Sequence, residues 1–174
     1  SNFFWIWKYH IPPKIKHFLW KACVNGLATK FRLNQSHIEV PLQCDLCNSS
    51  DEDSIHLFFD CSNLKDILTA SKFCYALEWD QIIRDTFHLD LFQTIDFLRK
   101  TLKNEKFVLL CFLWWNFWFA RNRKLFANDK FVIETVVKTS LDGHHYWVNR
   151  DKLDPDSDEP LTTIEHGCKK KTIY

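Results

Sequence analysis

Cys44 and Cys47 are separated by two residues, His56 follows, and Cys61 closes the stretch CDLCNSSDEDSIHLFFDC. Cys-x2-Cys is the spacing of a tight turn that aims two thiolates at one centre, and three sulfurs with one imidazole complete a tetrahedral zinc shell. Soft thiolates favour zinc over magnesium or calcium, which take oxygen ligands. Four protein ligands leave no position open for water, so the spacing predicts one structural zinc rather than a catalytic one. A thiol redox pair is the alternative for Cys44 and Cys47, but it belongs with a βαβ pattern that this sequence lacks. On one continuous helix His56 and Cys61 would lie roughly 140° apart and could not share a metal. A short helix or turn over 53–59 is therefore expected to end early enough for Cys61 to swing back. Ser50, Asp51 and Asp53 offer capping oxygens at its start. Ile55, Leu57, Phe58 and Phe59 are expected to pack the module onto the preceding helix.

That preceding helix reads from PPKIKHFLWKACVNGLATKFRL, residues 12–33. Proline is tolerated at a helix start, where its missing N–H is not needed. Ile15, Phe18, Leu19, Ala22 and Cys23 then recur on one face. Asn25-Gly26 stops this helix, and Thr29 caps a shorter one through Leu33. Beyond the cysteines, Ser62 or Asn63 opens a helix predicted to run through Leu77, and DQIIRDTF suggests another. LFQTIDFLRKTL over 91–102 has helical spacing, Asn104 opens the longest element, and FVIETVVKTSLDGHHYWVNR reads as a further helix whose β-branched residues also suit a strand. The predicted fold is mainly α, a small single-zinc CCHC knuckle packed on a helical domain. The expected divisions are a zinc module over 1–64, a helical domain over 65–150, and an acidic linker with a basic tail over 151–174, read as disordered.

Composition narrows the function classes. Seven cysteines without a signal-like N-terminus point to reduced thiols and an intracellular protein, nuclear or cytoplasmic. The apolar run at 107–120 is shorter than the about 20 residues a membrane helix needs and contains Asn116, so it reads as a buried helix. Three glycines exclude a Gly-rich phosphate loop. The chain has no methionine and begins Ser1-Asn2, which points to a segment of a longer open reading frame. Net charge is +1, yet residues 1–43 carry six Lys/Arg against one acid, residues 44–66 six acids against one lysine, and residues 99–131 eight basic residues against two acids. Such segregation suits a polyanionic partner, although solvated helix faces also make charge runs. Cys23, Cys74 and Cys111 fall on apolar helical patterns and read as core. Asp142, His144 and His145 are a conceivable acid–base constellation, but adjacent histidines diverge on a helix.

Taken together, Trp7-Lys8, Pro12-Pro13-Lys14, Phe18-Leu19-Trp20, Leu27 with Thr29, Cys44 with Cys47, and His56-Leu57-Phe58 with Cys61 resemble the zinc-binding domain of plant LINE-type (non-LTR retrotransposon) reverse transcriptases. The resemblance covers roughly residues 5–64. It implies Cys44, Cys47, His56 and Cys61 as the ligands of one zinc. Trp115, Trp118, Arg121, Asn122 and Phe126 resemble a later helix of the same family, although a core aromatic stripe would look alike. The family's polymerase aspartates and ribonuclease H-like carboxylates are absent from this sequence, so catalysis is not expected of it. The resemblance implies an accessory module that binds RNA or DNA beside an upstream polymerase domain, with no membrane and no small-molecule substrate. Lys14, Lys16, Trp20, Lys21, Lys30 and Arg32 are the expected nucleic-acid contacts, since lysines bind phosphates and exposed aromatics stack on bases. The alternative is a structural or protein-interaction module, or a decayed element fragment, in which zinc only staples helices and Phe3, Phe4, Trp5 and Trp7 form a docking face.

Overall fold

A computed structural model describes residues 3–153, with side chains to residue 150. Its elements are helices α1 (Phe4–Lys8), α2 (Pro13–Cys23) and α3 (Lys30–Gln35), a π turn (His56–Asp60), and helices α4 (Ser62–Ala70), α5 (Ala76–Thr86), α6 (Leu91–Thr101), α7 (Asn104–Ala127) and α8 (Ile133–Leu153). No strand occurs among the described residues; extended pairing is limited to one bridge between Gln43 and Asp51. The mainly α reading holds, and the segment after residue 131 is the helix it was read as, not the alternative strand. Of the tail expected to be disordered over 151–174, residues 151–153 continue α8 and the rest lies outside the described residues.

α7 is the axis of the fold. Phe107, Leu110, Cys111, Phe112, Leu113, Trp114 and Phe117 are buried around most of its circumference, which identifies a helix enclosed by others. α2, α4, α6 and α8 all pack on it. α8 packs tightly against it, and a Cβ on Gly143 would lie 3.2 Å from the Phe112 ring. Glycine mid-helix lowers helix stability by roughly 1 kcal/mol relative to alanine, and here it admits a neighbouring ring. The turn between α7 and α8 uses Asn128 at φ 54°, a left-handed position that asparagine tolerates well. Ile15, Phe18, Leu19 and Ala22 of α2 are buried as their spacing predicts, whereas Cys23 is only half-buried. The core is continuous from Ile6 through the π turn to Val136.

One element boundary differs from expectation. The helix predicted from Ser62 or Asn63 to Leu77 is two helices, and Cys61 rather than either residue stands at its N-cap. The break comes at Lys72, which adopts φ 58° while its amide donates to Thr69 O and that of Phe73 to Leu68 O. A new start then forms at Tyr75, whose N–H donates to Glu78 Oε2 at 3.1 Å. Local hydrogen-bonded caps outweighed the apolar spacing that suggested continuity. Left-handed backbone is unfavourable for lysine, so Lys72→Gly is expected to raise stability by about 0.5–1 kcal/mol, as measured by thermal melting. An unchanged or lower midpoint would show that the turn carries no such strain.

Candidate metal centre

The knuckle is built by backbone before any metal is considered. The Cys44 N–H donates to Ser50 O and that of Asn48 to Cys44 O, each at 2.8 Å, while Asn48 takes φ 55° to reverse the chain. The next segment is the expected short helical turn. Asp53 Oδ1 accepts from the His56 N–H at 2.7 Å, capping it. It ends in a π turn closed by the Cys61 N–H on His56 O at 2.7 Å, and Cys61 then leaves the helix at φ −59°, ψ 126°. This exit brings Cys61 back beside His56.

All four donor atoms, the sulfurs of Cys44, Cys47 and Cys61 and the imidazole nitrogen of His56, lie within 4.8 Å of one another. Cys47 Sγ and His56 Nε2 are 3.3 Å apart, so Nε2 faces the sulfurs. Cys44, His56 and Cys61 are buried and Cys47 is half-buried, with the Ser49 hydroxyl donating to its sulfur at 3.1 Å. The Cys44 thiol is pushed down to about 3, chiefly by the hydrogen bond from Cys61 and further by that from His56. His56 is pushed up to about 9 by its bond to Cys44, and Cys61 is pushed far up as the donor to that thiolate. A metal bound by these four groups takes the thiolates and the neutral imidazole, so its binding releases protons. Donor type, number and proximity fit one zinc ion and fill its coordination.

Two indoles fix the ligand-bearing turn to the core. Trp114 Nε1 donates to Phe58 O at 3.0 Å, and Trp79 Nε1 donates to Phe59 O at 2.8 Å. Both carbonyls stand at a helix end, where they would otherwise lack partners. Phe58 stacks on Phe18 of α2 and meets Trp114 edge-on, while Phe59 stacks on Trp79. Packing on the preceding helix is therefore correct for Phe58, but α5 and α7 share the task. Ile55 does not share it. Its side chain points outward and is 42% exposed, because the turn presents 57–59 to the core instead.

The largest feature not foreseen is a buried ion pair beside the knuckle. Glu52 and Arg121 are almost wholly inaccessible, and Arg121 bonds both Glu52 oxygens, with Nε to Oε2 at 3.0 Å and Nη2 to Oε1. Arg121 also donates to Ala28 O and Asn122 Oδ1, and its guanidinium lies over the Trp118 ring. Glu52 Oε1 accepts the Lys30 backbone N–H at 3.0 Å, which caps α3 with a carboxylate. One carboxylate therefore joins the knuckle, α3 and α7. The sequence signal was an acid within an acidic run and an arginine within an aromatic helix, and neither indicated the other.

The same pairing revises the charge map. Lys30, expected to contact nucleic acid, is buried; its ammonium meets Asp45 at 2.8 Å and Gln43 O at 2.7 Å. Lys124 donates to Asp45 O, and Lys65 pairs with Asp60 and Asp80. Part of the acidic stretch is thus neutralised inside the fold. Of the other expected contacts, Lys14, Lys21 and Arg32 are exposed, while Trp20 is half-buried. Lys16 is half-buried and its ammonium donates to Trp7 O. The α8 constellation does not assemble. His144 packs edge-on against Phe112, His145 bonds Asn149, and Asp142 pairs with Lys138.

No helix among the described residues is long and apolar enough to cross a membrane. Residues 1–67 match a family model described as zinc-binding in reverse transcriptase. No curated protein and no solved structure matches the chain. The matched span contains all four ligands, and Trp115, Trp118 and Arg121 lie beyond it.

Proposed function

We propose that this zinc-binding, reverse-transcriptase-type chain is an accessory module of a plant LINE-type element that binds RNA or DNA and has no catalysis of its own. The supporting observation is the solvent face of α2 and α3. Lys14 and Lys21 on α2 and Arg32 on α3 stand exposed, and Trp20 between the two lysines in the chain is half-exposed. Zinc on this reading holds a platform: it fixes the turn against which Phe18 and Trp114 pack, and the basic helices carry the contact. Phosphate contacts by lysine and arginine release counterions, so binding weakens steeply with salt.

Filter binding of labelled single-stranded RNA and DNA to the full chain tests this. Affinity is expected to fall with salt at a log–log slope of about −0.7 per phosphate contact. Joint replacement of Lys21 and Arg32 by glutamine should make that slope shallower by about 1.4 and leave zinc content unchanged. Absence of binding at low salt would overturn the reading. A second reading is favoured by Phe4 and Trp7, which are 72% and 49% exposed. They suit docking on protein, such as an upstream polymerase domain, and salt-insensitive binding to that domain is its signature.

A further inference from the structure

A groove of about 460 Å³ opens between the second half of α7, the start of α8 and the N-terminal turn of α2. Its floor is aromatic. Trp115 and Phe119 lie nearly parallel, at 29° with centroids 6.1 Å apart, and Phe119 is 47% exposed. Phe18 meets Trp115 edge-on from the core side and fixes the shelf. The rim is basic. Lys14 lies 5.8 Å from the Trp115 centroid, Arg123 lies 5.9 Å from that of Phe119, and Lys130 lines the α8 side. Asp129 pairs with Arg123, so Lys14 and Lys130 leave the rim net positive. Asn116 and Thr139 add polar groups to the walls.

We infer that this groove is a binding site for single-stranded RNA, with an unpaired base stacked on Phe119 and Trp115 and flanking phosphates held by Lys14 and Lys130. The inference rests on the nucleic-acid reading above and assigns it a second surface. Each part matches the ligand's chemistry. A flat, fixed aromatic shelf stacks any base, whereas a base inside a duplex has no free face to offer. Separated cations match a backbone better than one compact anion. Asn116 Nδ2 donates to Phe112 O, so its carbonyl oxygen and the Thr139 hydroxyl are the wall groups that suit a ribose 2′-hydroxyl, which both donates and accepts.

Fluorescence anisotropy with a labelled twelve-nucleotide oligouridylate tests the site in the full chain. Phe119→Ala is expected to weaken binding about five- to 150-fold, the loss of one stacked base, while Phe119→Trp retains it. Lys130→Gln should make the salt slope shallower by about 0.7. Lys130 is exposed and Phe119 is about half-exposed, so zinc content should be unchanged and the melting midpoint should move by no more than about 4 °C in these variants. Wild-type affinity in Phe119→Ala, with binding still weakened by loss of Lys21 and Arg32, would overturn the groove and spare the broader reading. No oligouridylate binding by wild type at low salt would overturn both. Equal affinity for oligodeoxyuridylate, or for duplex, would overturn the assignment to single-stranded RNA.

Discussion

Stripping zinc from the full chain, or replacing Cys61 by serine, is expected to lower the thermal midpoint by more than about 10 °C. The magnitude follows from two general scales. Apparent binding energies of structural zinc in small peptides are about 10–16 kcal/mol, and about 1 kcal/mol moves the midpoint of a chain this long by roughly 2–4 °C. The full effect is reduced here because Leu57, Phe58 and Phe59 are buried in the core by their own packing and two indoles bond the carbonyls of the turn. The knuckle has polar rather than apolar support. Cys44 and Cys47 lie in a loop held by backbone bonds, by the half-buried Leu46 and by Lys30, Lys124 and Asn63 bonding Gln43, Asp45 and Leu46, so it should open before the aromatic turn. Hydrogen exchange is expected to show lost protection at 44–51 while α7 remains protected. Cys47→Ser, at the most accessible ligand, should release zinc with less damage than Cys61→Ser, whose hydroxyl would sit in a fully buried position. Metal analysis should give one zinc per chain in the wild type. A metal-free chain with unchanged midpoint and protection would show that the four residues are not a structural zinc site.

Breaking the Glu52–Arg121 pair should be nearly as damaging, for a different reason. Removing one member of a buried ion pair leaves the other charge without its partner, at a cost of about 3–5 kcal/mol. Arg121→Met strands the Glu52 carboxylate with only the Lys30 amide named above, and Glu52→Gln leaves the guanidinium facing a neutral acceptor. Denaturant melts of either variant should fall by that amount, and the double variant Glu52→Gln with Arg121→Met should lose less than the sum. Arg121→Lys is not conservative here, because an ammonium cannot hold both carboxylate oxygens and Ala28 O at once. Glu52 directly follows the knuckle bridge, so zinc affinity should fall together with stability in Arg121→Met. Additive losses with unchanged zinc affinity would mean that the pair does not join the metal centre to α7.

What was legible came from short-range patterns. The four ligands occupy eighteen consecutive residues, so their spacing alone specified the turn, the early helix stop and the return of Cys61. Pro12-Pro13 and Asn25-Gly26 bounded α2 because proline fixes φ locally and asparagine tolerates the left-handed conformation, which Asn25 takes at φ 53°. Residues 104–127 read as one helix from continuous apolar content and were found as such. Legibility failed where two distant segments decide. Apolar spacing carried a helix across Lys72, although the cap at Tyr75 and Glu78 breaks it. Lys30 read as a surface cation because Asp45 is fifteen residues away, and nothing in either neighbourhood shows that they meet.

The sequence by itself therefore determined the metal chemistry and the helical character, since both depend on side-chain type and spacing within a few turns of chain. Tertiary structure decided which charges remain for a partner. It spent Lys30, Arg121, Lys65 and Lys124 on the knuckle and its flanks, and left Lys14, Lys21, Arg32 and Lys130 at the surface. It also placed Phe119 beside Trp115 at the mouth of a groove rather than in the core. The reason is physical: a buried charge requires a partner, and that partner is supplied by whatever segment the packing of α7 brings alongside.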